Sequence, residues 1–154
     1  MLKTLTTVAS VALPIEERWS IKRCRYAPDG SSAGRVCIAT GTHGDEMMGQ
    51  LIIYLVQQRI GEHPDALRGT VDFYPMLNPL GLDIGERLVP SGTRLDMNRA
   101  FPGSPNGTPL EYMCHQVIQD MRGADLVLDL HASARNKSEL YEVRVSAKDA
   151  DRLI

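Results

Sequence analysis

The chain has 154 residues, 43% hydrophobic and 23% charged, with a formal net charge of -2 and a sequence pI near 6.1. That is the length of one domain with enough apolar side chains to bury a core, and its balanced charge, free of long runs of one sign, gives no sign of nucleic acid or an anionic membrane as a partner, so neither is expected. No apolar run approaches the roughly 20 residues that cross a bilayer, and "MLKTLTTVASVALPIEERW" is too weak and interrupted for a signal peptide, so a cytoplasmic location is expected.

In chain order, "WSIKRCRYA" (Trp19 to Ala27) alternates large and polar residues as a half-buried strand does, and "PDGSSAGR" is a turn that predicts a hairpin with the next strand. "RVCIATG" is short, β-branched and apolar, a strand buried on both faces that ends at Gly41. From Asp45 to about Ile60, the residues Met47, Met48, Leu51, Ile52, Leu55 and Val56 follow the three-four spacing of a helix, with Gly61 as its stop. "TVDFYPML" (Thr70 to Leu77) is a further strand. The stretch after it is crowded with Gly, Pro, Asn and Ser, and a connection that long predicts a binding site.

A helix follows, with Thr108 as cap, Pro109 in its first turn, Glu111 three residues after the cap and Gly123 as its stop. "ADLVLDLHAS" is a third buried strand ending at a histidine, "ELYEVRV" (Glu139 to Val145) another strand, and "SAKDADRLI" a helix capped by Ser146. Strands alternating with helices imply an α/β fold around a largely parallel sheet, with no internal repeat. Cys24, Cys37 and Cys114 are odd in number and lack a C-x-x-C pair, so they predict plain thiols rather than disulfides or a thiolate metal site.

Ligands of open α/β sheets bind beyond the carboxyl ends of the strands, where His43 and His131 both stand. With Glu46 in the first turn of the following helix, they would form a three-ligand cluster with an open face, the layout of a catalytic zinc site whose fourth position holds water. Gly44 lets the chain turn after His43, and Asp129, two residues before His131, is placed to orient an imidazole. Spacing alone leaves other readings open: hydrogen-bonded structural histidines, a Glu46 favoured by the helix dipole, and an Asp129 satisfied by backbone.

Three segments in this order, "GTHGDE" (Gly41 to Glu46), "LDMNRAFPG" (Leu95 to Gly103) and "DLHAS" (Asp129 to Ser133), resemble the succinylglutamate desuccinylase and aspartoacylase family, relatives of the zinc carboxypeptidases. "NPLGLDIGERLVPSG" resembles the family's substrate loop. The resemblance implies a zinc-carboxypeptidase-like α/β fold and one zinc ion per chain held by His43, Glu46 and His131. It implies that Asn98 and Arg99 hold a substrate carboxylate, as a guanidinium fork suits, and that Arg87, with Arg94 as the fallback, polarises the scissile carbonyl. Phe101 would pack beneath the site. The implied chemistry is hydrolysis of an N-acyl amino acid or a similar small amide through a metal-activated water.

By the same resemblance the chain corresponds to the N-terminal part of the catalytic domain. The family's general base matches no residue here, neither Glu139 nor Glu142, and weak zinc binding with poor turnover is expected. A sheet ending in mid-fold leaves an edge strand that invites association with another chain, so a homo-oligomer is also considered. Two other readings remain. One is a non-catalytic metal- or carboxylate-binding module that keeps the ligands without the base. The other is a serine hydrolase with Ser32 in "GSSAG" as nucleophile, although a turn precedes Ser32 and a strand follows, the reverse of a nucleophile elbow. His63 and His115 have no partner motif, and no phosphate-binding loop of the G-x-x-x-x-G-K type is present.

Overall fold

The computed structural model describes residues 1–90, 95–133 and 142–144. Strand β1 (Leu2–Ala12) turns through residues 13–17 into β2 (Arg18–Ala27), and the two pair antiparallel from Leu2 opposite Ala27 to Ala12 opposite Arg18. The N-terminal segment is therefore an edge strand. The hairpin expected between β2 and β3 (Arg35–Thr40) does not form: β2 pairs antiparallel with β4 (Thr70–Tyr74), while β3 pairs parallel with β4 and with β5 (Leu126–Leu130). The sheet is mixed and open, in the order β1-β2-β4-β3-β5.

The physical reason for the rearranged pairing is charge. In the observed register Arg25 lies opposite Asp72, and its guanidinium donates to both Asp72 oxygens at 2.7 Å. Arg35 Nε donates to Asp72 Oδ2 at 2.7 Å, and Arg23 Nε lies 3.7 Å from Oδ1. Burial would raise the Asp72 carboxyl, but Arg25 and Arg35 hold it below its ordinary range. Tyr74 donates to Asp120 Oδ2, and Arg35 also reaches the Asp120 and Arg122 carbonyls. One buried carboxylate thus joins β2, β3 and β4, and Arg35 extends the network to the backbone at residues 120 and 122.

Helix α1 (Met48–Glu62) covers one sheet face and α4 (Pro109–Met121) packs against the other. Between them lie α2 (Pro79–Ile84) and α3 (Met97–Ala100), two short helices within the expected long connection. The capping box of α4 forms, with Glu111 N donating to Thr108 Oγ1 and Thr108 N to Glu111 Oε2, and Leu110, Met113, Cys114, Val117 and Met121 are buried beneath it. Helix α1 runs through Gly61 to Glu62, and it buries Gly49 and Ile53. A side chain at Gly49 would overlap Thr40 Oγ1, so the glycine brings helix and strand into close contact.

Two apolar stretches are more exposed than a core element. The spacing of Met47, Met48, Leu51, Ile52 and Leu55 is helical, but these residues are 44–56% exposed. Strand β5, expected to be buried, pairs with β3 alone among the described residues, and Leu126, Val127 and Leu128 are 37–47% exposed. The three cysteines are free and buried. No helix among the described residues is long and apolar enough to cross a membrane. Arg94, Glu139, the helix from Ser146 and most of the strand expected over 139–145 lie outside the described residues.

Candidate active site

Because β3 and β5 run parallel, with Thr40 opposite Leu130, both chains leave the sheet at the same end. His131 follows β5 directly, and His43 lies three residues beyond β3. Glu46 comes in the turn before α1 rather than in its first helical turn, since Met47 is the cap, and its N–H faces the His43 carbonyl at 3.3 Å.

These segments converge on the Glu46 carboxylate. His43 Nδ1 lies 2.8 Å from Oε1 and His131 Nδ1 3.0 Å from Oε2. The ligand atoms of His43, Glu46 and His131 all lie within 4.8 Å of one another, and the two imidazoles are tilted by 55° with centroids 5.0 Å apart. Each outer ring nitrogen meets a second carboxylate: His43 Nε2 is 3.3 Å from Asp96 Oδ1, and His131 Nε2 is 2.9 Å from Asp129 Oδ2. Burial alone would raise the Glu46 carboxyl, but the Ala132 N–H, the Arg87 guanidinium and the two imidazoles hold it below its ordinary range. The Asp129 hydrogen bond, with Glu46 beyond it, raises His131 against the opposing effect of burial.

Arg87 is brought to this cluster, with Nη1 donating to Glu46 Oε1 at 2.6 Å. Its loop is held against the His43 turn, where Gly44 N faces the Arg87 carbonyl at 3.4 Å. A Cβ on Gly44 would lie 2.1 Å from the Gly81 carbonyl carbon and 2.4 Å from the Glu86 oxygen. Gly44→Ala is expected to cost about 1–3 kcal/mol through overpacking against backbone and to displace Arg87, as measured by urea denaturation and by the spectrum of the site's histidines.

Helix α3 carries Asn98 and Arg99. The Arg99 guanidinium is exposed and has no partner among the described residues. Asp96 caps this helix, accepting from Asn98 N at 2.9 Å with the same Oδ1 that faces His43. One carboxylate oxygen therefore links the residues expected to hold substrate to an expected ligand. Sequence reasoning gave Asp96 no role, although an acid immediately before a short helix start is a cap signal. Phe101 packs against the main core cluster. Ser32 Oγ donates to the Gly34 carbonyl and meets Thr70, with no histidine among its partners, so nothing activates it as a nucleophile.

An open mixed sheet flanked by helices, with two histidines and a glutamate gathered at the ends of neighbouring parallel strands, defines a carboxypeptidase-like α/β fold. The sequence model of the succinylglutamate desuccinylase/aspartoacylase catalytic domain matches residues 32–153, and the chain belongs to that family. Among solved structures it is similar to a succinylglutamate desuccinylase/aspartoacylase from Rhodobacter sphaeroides, at 26% identity and a TM-score of 0.70 over 86% of this chain and 40% of that one. A metallo-carboxypeptidase from Burkholderia cenocepacia shares the fold, at 18% identity and a TM-score of 0.68 over 85% of this chain and 37% of that one. Among curated proteins, the N-alpha-acetyl-L-2,4-diaminobutyric acid deacetylase of Halomonas elongata is 33% identical over 98 residues, 62% of this chain and 27% of the relative. The chain thus spans well under half the length of these relatives.

Proposed function

We propose that the protein serves zinc-dependent hydrolysis of a small amide bearing a carboxylate, such as an N-acyl amino acid. The observation that carries this reading is the convergence of the His43 and His131 Nδ1 atoms on opposite oxygens of Glu46, with a carboxylate behind each ring. The donor set suits a divalent cation: two neutral imidazoles and one carboxylate match the ligands of catalytic zinc, and outer carboxylates that fix ring orientation are its usual support. Bound zinc supplies an acidified water and a Lewis acid for the amide oxygen.

The chain's own groups divide the remaining work. Asp96 and Asp129 hold the two rings so that each Nδ1 faces the metal position. Arg87, at the rim of the site, exchanges its contact with Glu46 for the substrate's carbonyl oxygen, where a cation stabilises developing negative charge. Asn98 and Arg99, on the helix that Asp96 caps, receive the substrate carboxylate. Glu142 is exposed and paired with Arg144, so no base role is given to it. The family membership and the deacetylase relative support the deacylase class.

Metal content by mass spectrometry on untagged protein, together with turnover on N-acetyl and N-succinyl amino acids, tests the reading. About one zinc per chain with hydrolysis supports it, and zinc without hydrolysis leaves the non-catalytic binding module. A folded chain that takes up no zinc overturns both. Arg99→Ala is expected to weaken binding of an N-acetyl amino acid roughly 10- to 100-fold, the range of a lost hydrogen bond to a charged group, and Arg99→Lys to recover only part of it because the fork is lost. Isothermal titration measures this whether or not the chain turns over, and unchanged affinity would remove Arg99 from the binding role.

A further inference from the structure

We propose that Asn78 is the positioning residue that sets Arg87 against Glu46, by fixing the first turn of α2 between the His43 turn and the segment that leads to Arg87. The inference rests on the role given to Arg87 in the proposed hydrolysis. Asn78 is fully buried and caps α2. Its N–H donates to the Gly41 carbonyl at 2.7 Å, next to the bond from Leu77 N–H to the Thr40 carbonyl at 3.1 Å. The contact between β3 and β4 thus continues past both strands, and Asn78 comes to rest beside Gly41, where a φ of +72° turns the chain toward His43.

The side chain of Asn78 holds the other partner. Its Oδ1 accepts from Gly81 N–H at 2.9 Å, and the Gly81 carbonyl accepts from the N–H of Glu86, the residue before Arg87, at 2.9 Å. The packing around Gly81 is tight. A Cβ there would lie 2.4 Å from Asn78 Nδ2 and 2.8 Å from the Glu86 carbonyl oxygen, and a Cβ on Gly44, next to His43, would lie 2.1 Å from the Gly81 carbonyl carbon. The His43 turn, the first turn of α2 and the Glu86 segment therefore stack in contact, and Asn78 is bonded to the first through its main chain and to the second through its side chain. Beyond this stack, His43 Nδ1 and Arg87 Nη1 reach the same Glu46 oxygen, at 2.8 and 2.6 Å. A shift of α2 against the His43 turn changes where Arg87 stands relative to His43.

Capping alone does not account for asparagine at this position. Serine and aspartate cap helix starts as well as asparagine does, and neither would bury an amide nitrogen. Asn78 Nδ2 is buried with no hydrogen-bond partner among the described residues, an unfavourable state for a donor. What this nitrogen does have is contact: it and the Glu86 carbonyl flank the same point on Gly81. The amide therefore acts as a spacer as well as a cap. Serine lacks its reach, and aspartate supplies the same shape only with a buried charge.

The guanidinium 15N–1H signal of Arg87 in the metal-free full chain, identified by its loss in Arg87→Lys, reads the placement directly. Asn78→Ala should move this signal toward that of a solvated arginine. Asn78→Ser restores a capping oxygen, so it should recover most of the resistance to urea lost in Asn78→Ala and yet leave the signal displaced. With zinc present, isothermal titration should show affinity for an N-acetyl amino acid falling roughly 10- to 100-fold in Arg87→Ala, the range of a lost hydrogen bond from a charged group. Asn78→Ser should lose affinity in the same direction, and the double variant should bind no worse than Arg87→Ala alone, because residues that act through one contact are not additive. An unmoved signal in Asn78→Ala, recovery of both stability and signal in Asn78→Ser, or additive losses in the double variant would each overturn the proposal. Failure of the parent to bind the N-acetyl amino acid would instead overturn the role given to Arg87 in hydrolysis, and the metal-free signal would still decide whether Asn78 places it.

Discussion

Asp72→Ala is expected to destabilise the protein by about 3–5 kcal/mol, the range seen when one partner of a buried ion pair is removed. The Asp72 side chain is fully buried, and the arginines around it are 12–33% exposed. Without the carboxylate, the Arg25 and Arg35 guanidiniums lose their shared acceptor where solvation is incomplete, and Arg35 keeps the carbonyls near the end of α4 and a longer contact with the Tyr74 hydroxyl. Because a domain of this size is stable by about 5–15 kcal/mol in total, the loss approaches unfolding. Asp72→Asn keeps the shape and isolates the charge. The pH dependence follows from the sign of the shift. The folded carboxyl lies below its ordinary value of 3.8, so its contribution is fully present above that value and is lost as pH falls through the depressed folded value. The parent's acid unfolding limb should therefore flatten in Asp72→Asn. A denaturation midpoint changed by less than the equivalent of about 1 kcal/mol would show that the network is solvated rather than structural.

What the sequence revealed, and what it hid, follows the range of the interactions involved. The α4 start was legible because its signal is local: Thr108, Pro109 and Glu111 satisfy one another within a single turn. His43 and His131 were legible as a pair because each ends an apolar run, and parallel strands bring such ends together. The β2–β3 hairpin was misread because "PDGSSAG" specifies a turn but not a partner. The choice rests on Arg25 meeting Asp72, 47 residues away. The inward face of α1 was equally hidden, since two adjacent stripes share the three-four period. Gly49 decided between them by permitting contact with Thr40, and an apolarity pattern gives glycine no weight. β1 was passed over because threonine-rich alternation reads weakly, and the exposure of β5 among the described residues was hidden because an apolar run does not name the neighbours of its strand. Asp96 lay inside a recognised motif, yet its contact with His43 crosses 53 residues and appears only in three dimensions.

Glu46→Gln carries the other large effect. The Glu46 carboxylate receives the Ala132 N–H at 2.9 Å and the Arg87 guanidinium at 2.6 Å, and both histidine Nδ1 atoms lie within 3.0 Å of it. The substitution keeps the size but replaces one acceptor oxygen with an NH2 donor and removes the negative charge. Whichever way the amide turns, its NH2 faces a side already occupied by Arg87 and His43 or by the Ala132 N–H and His131. Zinc affinity should fall more than roughly 100-fold, beyond the 10–100-fold loss typical of an outer-shell partner, which is the range expected for Asp96→Asn and Asp129→Asn. Competition against a chromophoric chelator separates the two magnitudes. Metal-induced stabilisation gives a second readout: zinc at 100 times its Kd should add about 2.7 kcal/mol to the parent and, at the same concentration, almost nothing to Glu46→Gln. Comparison of the metal-free proteins controls for the amide's misfit with Arg87, since that cost appears without zinc. Retention of one tightly bound zinc by Glu46→Gln would sink the assignment of Glu46 as a ligand. Zinc affinity equal to the parent's in Asp96→Asn would remove Asp96 from metal positioning and leave it the cap of α3.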